Sequence, residues 1–168
     1  MKKSFSFAVW MTFASVVFKL LLYFLEVDLQ KSITYVAFFN LLVISVGTFF
    51  GIRNFKILNP EIRSFKEDVK SGMRIAALYA ALMSVFVYVY YNNIDSQAFE
   101  TFINTRLENT QQAIDNGETI DIERVESVAR FIFSPRTHAT ITLFGFLMAG
   151  TIYSLLISYF MRRMPGFK

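Results

Sequence analysis

The sequence contains no cysteine, a single histidine and few charged residues for its length. Without Cys there is no disulfide and no thiolate metal site. His138 stands alone, with no Cys companions for a metal set, and no nucleophile or orienting carboxylate is placed beside it by sequence. No phosphate-cradling glycine loop is present. Asp115 to Glu123 is spaced a little like a calcium loop. Aligning its glycine, Gly117, puts Gln112 and Ile114 where acidic ligands belong, so the pattern fails. The long apolar runs contain no Asp or Glu, which removes the membrane carboxylate used in proton antiport. Enzyme chemistry has no visible carrier, and neither an enzyme nor a bound cofactor is expected.

Apolar side chains dominate what is present. The hydrophobic share is 54%, twenty residues are Phe, and charged residues are 18% against roughly 25% in soluble domains. The mean hydropathy of +0.42 agrees. A soluble domain of 168 residues cannot hide this much apolar surface, so a bilayer must surround it. Four runs match the roughly 20 residues needed to cross hydrocarbon, and they predict membrane helices over 5–27, 33–52, 72–91 and 137–161. Lys2 and Lys3 before the first run imitate a secretory signal. That run, Phe5 to Leu25, covers 21 residues, against about 7–15 for a signal h-region, and is read as a retained helix. The predicted fold is all-α: one polytopic membrane domain, with a helical extracytoplasmic segment between its third and fourth membrane helices.

The stretch from Gly47 to Tyr91 sets the direction of the rest. It leaves the membrane, makes a basic bend and returns. Arg53, Lys56, Arg63, Lys66, Lys70 and Arg74 lie in the bend and its flanks. Asn59-Pro60 stops any helix there, and Ser64 with Glu67 fits a capping box that starts the next. With both termini and the bend on one side, that side holds eleven Lys or Arg against three acids, a net +8. The opposite side holds five against ten, a net −5. This is a positive-inside pattern, placing both ends in the cytoplasm of a bacterial inner membrane and residues 92–138 outside. Tyr23, Tyr35, Tyr88, Tyr90 and Tyr91 gather at the predicted outer ends, where amphipathic rings settle. With Lys19 inside the first helix, the two sides account for the charge of +4, which is thus divided by topology and does not mark a nucleic-acid partner.

Residues 92–138 are polar but periodic. Apolar positions recur at helical spacing before and after Asn116-Gly117, predicting amphipathic helices within 95–133, with Asp121 able to cap the second. Pro135 sits where a first-turn proline is tolerated.

Three sets of residues are candidate sites. Thr12, Ser15, Lys19, Tyr23 and Glu26 form one polar stripe on the first helix. Either it lines a cavity or anion site with Lys19 at its positive end, or Lys19 snorkels toward headgroups or Glu26. Small residues recur every fourth position: Gly47 and Gly51, then Ala76, Ala80 and Ser84, then Gly145 and Ala149, then Gly150, Ser154 and Ser158. Such rows let helix backbones approach closely. The six basic residues of the bend are topology signals that are also able to meet anionic lipid.

The chain resembles a family of small four-helix membrane proteins of Bacteroidota, the domain-of-unknown-function family forty-one ninety-nine. The resemblance rests on Gly-Ile-Arg-Asn-Phe at 51–55, Ser64-Phe65 followed by Lys70-Ser71-Gly72, and Tyr90-Tyr91 with Ile94-Asp95. It continues in Ser134-Pro135 and in Leu155-Leu156-Ile157-Ser158 before Arg162-Arg163. It implies an inner-membrane location and supplies no catalytic residues. The expected role is an interaction or accessory subunit, in contact with the bilayer and with a second copy or another membrane chain. The alternative is a small transporter, channel or lipid-binding protein using the Thr12 to Glu26 stripe.

Overall fold

A computed structural model describes residues 2–61 and 64–163. Among them every regular element is helical: α1 (Lys2–Phe24), α2 (Leu29–Leu58), α3 (Phe65–Val89), a π-helical turn (Tyr90–Ile94), α4 (Ala98–Asp115), α5 (Ile122–Ile132) and α6 (Pro135–Arg163). Four segments are long and apolar enough to cross a membrane: Phe5–Phe24, Gln30–Leu58, Phe65–Ile94 and Pro135–Arg163. The protein is a multi-pass membrane protein. Arg63 of the bend and Lys168 at the C-terminus lie outside the described residues.

Local chemistry sets the helix ends. α1 closes at Phe24 with Glu26 N–H bonded to Tyr23 C=O and Val27 N–H to Leu22 C=O. This cap puts Glu26 at φ 52°, a position glycine ordinarily fills. The Asp28 carboxylate accepts from the N–H groups of Gln30 and Lys31 at 3.1 and 3.2 Å and so starts α2. α2 does not stop where its apolar run stops, at Ile52. It continues through Arg53 and Lys56 to Leu58, where the Asn59 side chain donates to Phe55 C=O at 3.0 Å and Pro60 follows. Its 30 residues measure about 45 Å, half as long again as a hydrocarbon core. The bend is therefore shorter than the sequence suggests, and Arg53, Lys56, Lys66, Lys70 and Arg74 are all helical.

The chain forms two compact units. The first comprises residues up to Met83 and from Leu143 onward. In it, each helix brings a row of residues four apart to its neighbours. Asn40, Ile44, Thr48 and Ile52 of α2 are buried, as are Gly72, Ala76 and Ala80 of α3 and Gly150, Ser154 and Ser158 of α6. Glycine is needed where these rows cross. A methyl group on Gly72 would lie 2.6 Å from Ser154 Oγ and 2.8 Å from Thr48 Cγ2, while one on Gly150 would strike Ala76 Cβ. Gly47 is filled in the same way by Met11, and Gly51 by Ile75.

The second unit is Ser84–Thr142. Asp121 caps α5 by accepting from Arg124 N–H at 3.1 Å, and Gly117, at φ 97°, turns the chain between α4 and α5. Phe102 stacks on Phe133 at 5.6 Å. Tyr91 and Phe99 lie 4.5 Å apart, and the His138 ring packs against both, at 5.2 and 5.3 Å. Pro135 opens α6 directly after Ser134, whose hydroxyl accepts from Thr137 N–H at 3.3 Å.

Gly72→Leu and Gly150→Leu are expected to destabilise the chain by about 1–3 kcal/mol in mixed-micelle unfolding by SDS, since neither site has room for the added atoms. Gly145→Leu is expected to stay within about 0.5 kcal/mol of the parent, because, apart from its chain neighbours and its own helix backbone, nothing lies within 4 Å of its added carbon.

Candidate functional site

The three buried rows end on charge. One turn beyond Gly72 on α3 is Asp68, one turn beyond Ser158 on α6 is Arg162, and one turn beyond Ile52 on α2 is Lys56. The three meet. Arg162 donates from Nε to Asp68 Oδ2 at 2.9 Å, its Nη2 lies 2.8 Å from the same oxygen, and Lys56 Nζ is 3.8 Å away. The Asp68 side chain has no exposed surface, whereas those of Arg162 and Lys56 are 32% and 21% exposed. The carboxylate is thus fully desolvated while both cations keep an outlet to solvent. The Arg162 guanidinium also lies over the Phe65 ring, 5.8 Å from its centre. Asp68 Oδ1 has no hydrogen-bond partner among the described residues, and neither do Thr48 Oγ1 and Ser158 Oγ on the adjoining rows. A polar seam therefore runs between α2, α3 and α6.

Two turns past Gly72 on α3, Tyr79 touches each of the other three membrane helices. Its hydroxyl donates to Asn40 Oδ1 of α2 at 2.9 Å and lies 2.7 Å from Ser15 Oγ of α1. With the phenolic proton directed to Asn40, Ser15 is the donor to the tyrosine oxygen. The ring stacks on Phe146 of α6 at 5.5 Å. Tyr79, Asn40 and Ser15 are all buried. An unpaired hydroxyl or amide at this depth is costly, and these three satisfy one another.

The stripe on α1 does not stay together. Ser15 is in the Tyr79 cluster, and buried Lys19 donates to Ser32 Oγ of α2 at 3.1 Å. Thr12 donates back to Ala8 C=O of its own helix at 2.9 Å. Tyr23 and Glu26 are exposed, and Glu26 lies beyond the helix end. Of the basic residues, Lys56 joins Asp68 and Lys70 pairs with Glu67 at 3.6 Å. Arg53, Lys66 and Arg74 are exposed. Among the small residues, Gly47, Gly51, Ala76 and Ala80 are buried, Ala149 is half-buried and Gly145 is exposed.

Asp68, Tyr79, Asn40 and Arg162 were not legible as a site from composition. The signal lay in the small-residue rows. Stepping back by four from Ser84, Ala80 and Ala76 reaches Gly72 and then Asp68, and stepping on from Gly150, Ser154 and Ser158 reaches Arg162.

Arg162→Gln is expected to destabilise the chain by about 3 kcal/mol, because it leaves a desolvated carboxylate short of its main partner. Asp68→Asn is expected to cost less, since the freed guanidinium reaches solvent, and the double variant to recover part of the Arg162→Gln loss. Thermal unfolding in detergent of the two single variants and the double variant measures this ordering. Tyr79→Phe is expected to cost about 1–2 kcal/mol by leaving Ser15 and Asn40 without their shared partner.

Residues 6–163 match the family model described as Protein of unknown function (DUF4199). Neither the curated proteins nor the solved structures include a significant match. The family match runs from the first turns of α1 to the last residue of α6 and takes in both units. The chain belongs to the DUF4199 family of proteins of unknown function.

Proposed function

We propose that this protein is a non-enzymatic accessory subunit of a membrane assembly, docking on a second copy or another membrane chain through the outward face of α6. The observation that carries this reading is Gly145. Gly47, Gly51, Gly72 and Gly150 are each filled by a neighbouring helix of the same chain, whereas Gly145 has no such neighbour within 4 Å. It stands beside exposed Phe144, Met148 and Ile152, four residues before Ala149. Only 11% of the α6 apolar window is buried within the chain, against 22–33% for the other three spans. In lipid an exposed apolar face needs no cover, but a glycine there offers lipid little contact and offers a partner helix close backbone approach. The non-enzymatic part of the proposal rests on the sequence, which has no cysteine, one histidine and no acid in its apolar runs.

The proposed setting is a bacterial inner membrane with both termini cytoplasmic. Its support is the charge division, net +8 against −5. On this topology Lys66→Cys labels from the cytoplasmic side and Gln111→Cys from the opposite side. Labelling of both from one side is the result that removes it.

Because the chain has no native cysteine, single introduced thiols report contacts cleanly. Met148→Cys is expected to give crosslinked species in intact membranes, and Trp10→Cys, exposed on α1, is not. Gly145→Leu is expected to reduce the Met148→Cys crosslink several-fold. A strictly monomeric chain that co-purifies with nothing in mild detergent, and gives no Met148→Cys crosslink, would refute the proposal.

A further inference from the structure

The second unit contains a groove of about 590 Å³ between α4 and α5. Its wall is apolar, formed chiefly by Val125, Val128, Ile132 and Phe133, and both Arg106 and Arg124 line it. The volume falls within the range of small-molecule sites, which are apolar with a few placed polar groups. The two arginines are unusual in their setting. Between Asn92 and His138 there are eight acids and only four arginines, so acid partners are plentiful. Arg130 takes two of them, Glu126 at 2.9 Å and Glu100 at 3.3 Å, and both raise its pKa, the Glu126 hydrogen bond most. Arg106 and Arg124 make no ion pair among the described residues. Asp121, the acid at the groove, is engaged in capping α5 through Arg124 N–H. An apolar channel with two unmatched guanidiniums suits a ligand with a hydrocarbon chain and an anionic head. Guanidinium binds phosphate in a planar, two-pronged geometry that an ammonium cannot reproduce. Apolar character also extends past the groove, because Phe131 is 72% exposed on the same short helix.

The geometry points to an anionic phospholipid of the surrounding bilayer as the occupant, with one acyl chain along Val125, Val128 and Ile132 and its phosphate on Arg106 and Arg124. This site is separate from the basic bend, where any attraction to lipid is a matter of diffuse surface charge. It is also independent of the α6 face.

The test uses the full chain in a neutral detergent, titrated with phosphatidylglycerol or phosphatidylcholine and read by native mass spectrometry. One phosphatidylglycerol per chain is expected to persist at activation energies that strip phosphatidylcholine. The Arg106→Gln/Arg124→Gln variant is expected to weaken that adduct by about tenfold or more. Val128→Asp, which puts a charge in the acyl path at an exposed position, is expected to do the same. Lys66→Gln/Lys70→Gln/Arg74→Gln is expected to leave the adduct unchanged. Circular dichroism of each variant establishes that its helices are retained, and the two groove variants act at different points, so loss of folding in one leaves the other decisive. Equal retention of both lipids, retention by both groove variants, or loss in the basic-bend variant alone would overturn the assignment.

Discussion

Helices surrounded by lipid gain little by hiding apolar surface from one another, so they associate where their backbones come close enough for dense packing. In this protein that closeness is set at Gly72 and Gly150, where α2, α3 and α6 leave no room for even one methyl group. The other features of the bundle follow from it. At such short range, polar side chains on facing rows reach one another directly. The Tyr79 hydroxyl can therefore bridge α1 and α2 while its ring lies on α6.

The charged end of the seam adds register to closeness. Asp68 has no exposed surface, and its ionised form is tolerable only beside Arg162 and Lys56. Sliding α3 along α6 by one turn, about 5.4 Å, would separate the carboxylate from the guanidinium and leave a desolvated charge. The many apolar contacts along the same helices discriminate far less, because one aliphatic side chain replaces another at modest cost. Small residues thus decide that the helices touch, and the Asp68 cluster decides where along their length.

The second unit obeys different rules. Its helices are short and amphipathic, and its ion pairs are exposed. Arg130 with Glu100 and Glu126 is therefore a weak brace, sensitive to salt. Ring contacts do more of the holding: Phe102 stacked on Phe133, and Tyr91, Phe99 and His138 packed against one another. The lone histidine, which attracts attention in a sequence with so little catalytic chemistry, is accounted for as one member of this aromatic cluster.

Sequence alone determined the class of the protein and the position of its breaks. Runs of apolar residues demand lipid whatever they pack against, and Asp28, Asn59-Pro60, Gly117, Asp121 and Pro135 act on the backbone within one or two turns of themselves. Their effect needs no tertiary partner. Even so, hydropathy misplaced the end of α2 by six residues, because a helix ends at its stop signal, Asn59-Pro60, and not where its side chains turn polar. Which face of each helix points inward was decided only by the tertiary structure. Ser15 and Tyr23 share one stripe in the sequence, yet one is buried against Tyr79 and the other is exposed. Asp68 and Lys56 read as ordinary members of a charged bend until three rows, separated by up to 94 residues between Asp68 and Arg162, converge on them. Local sequence carries the tendency to form each helix. Burial of a particular carboxylate is a property of the other helices around it.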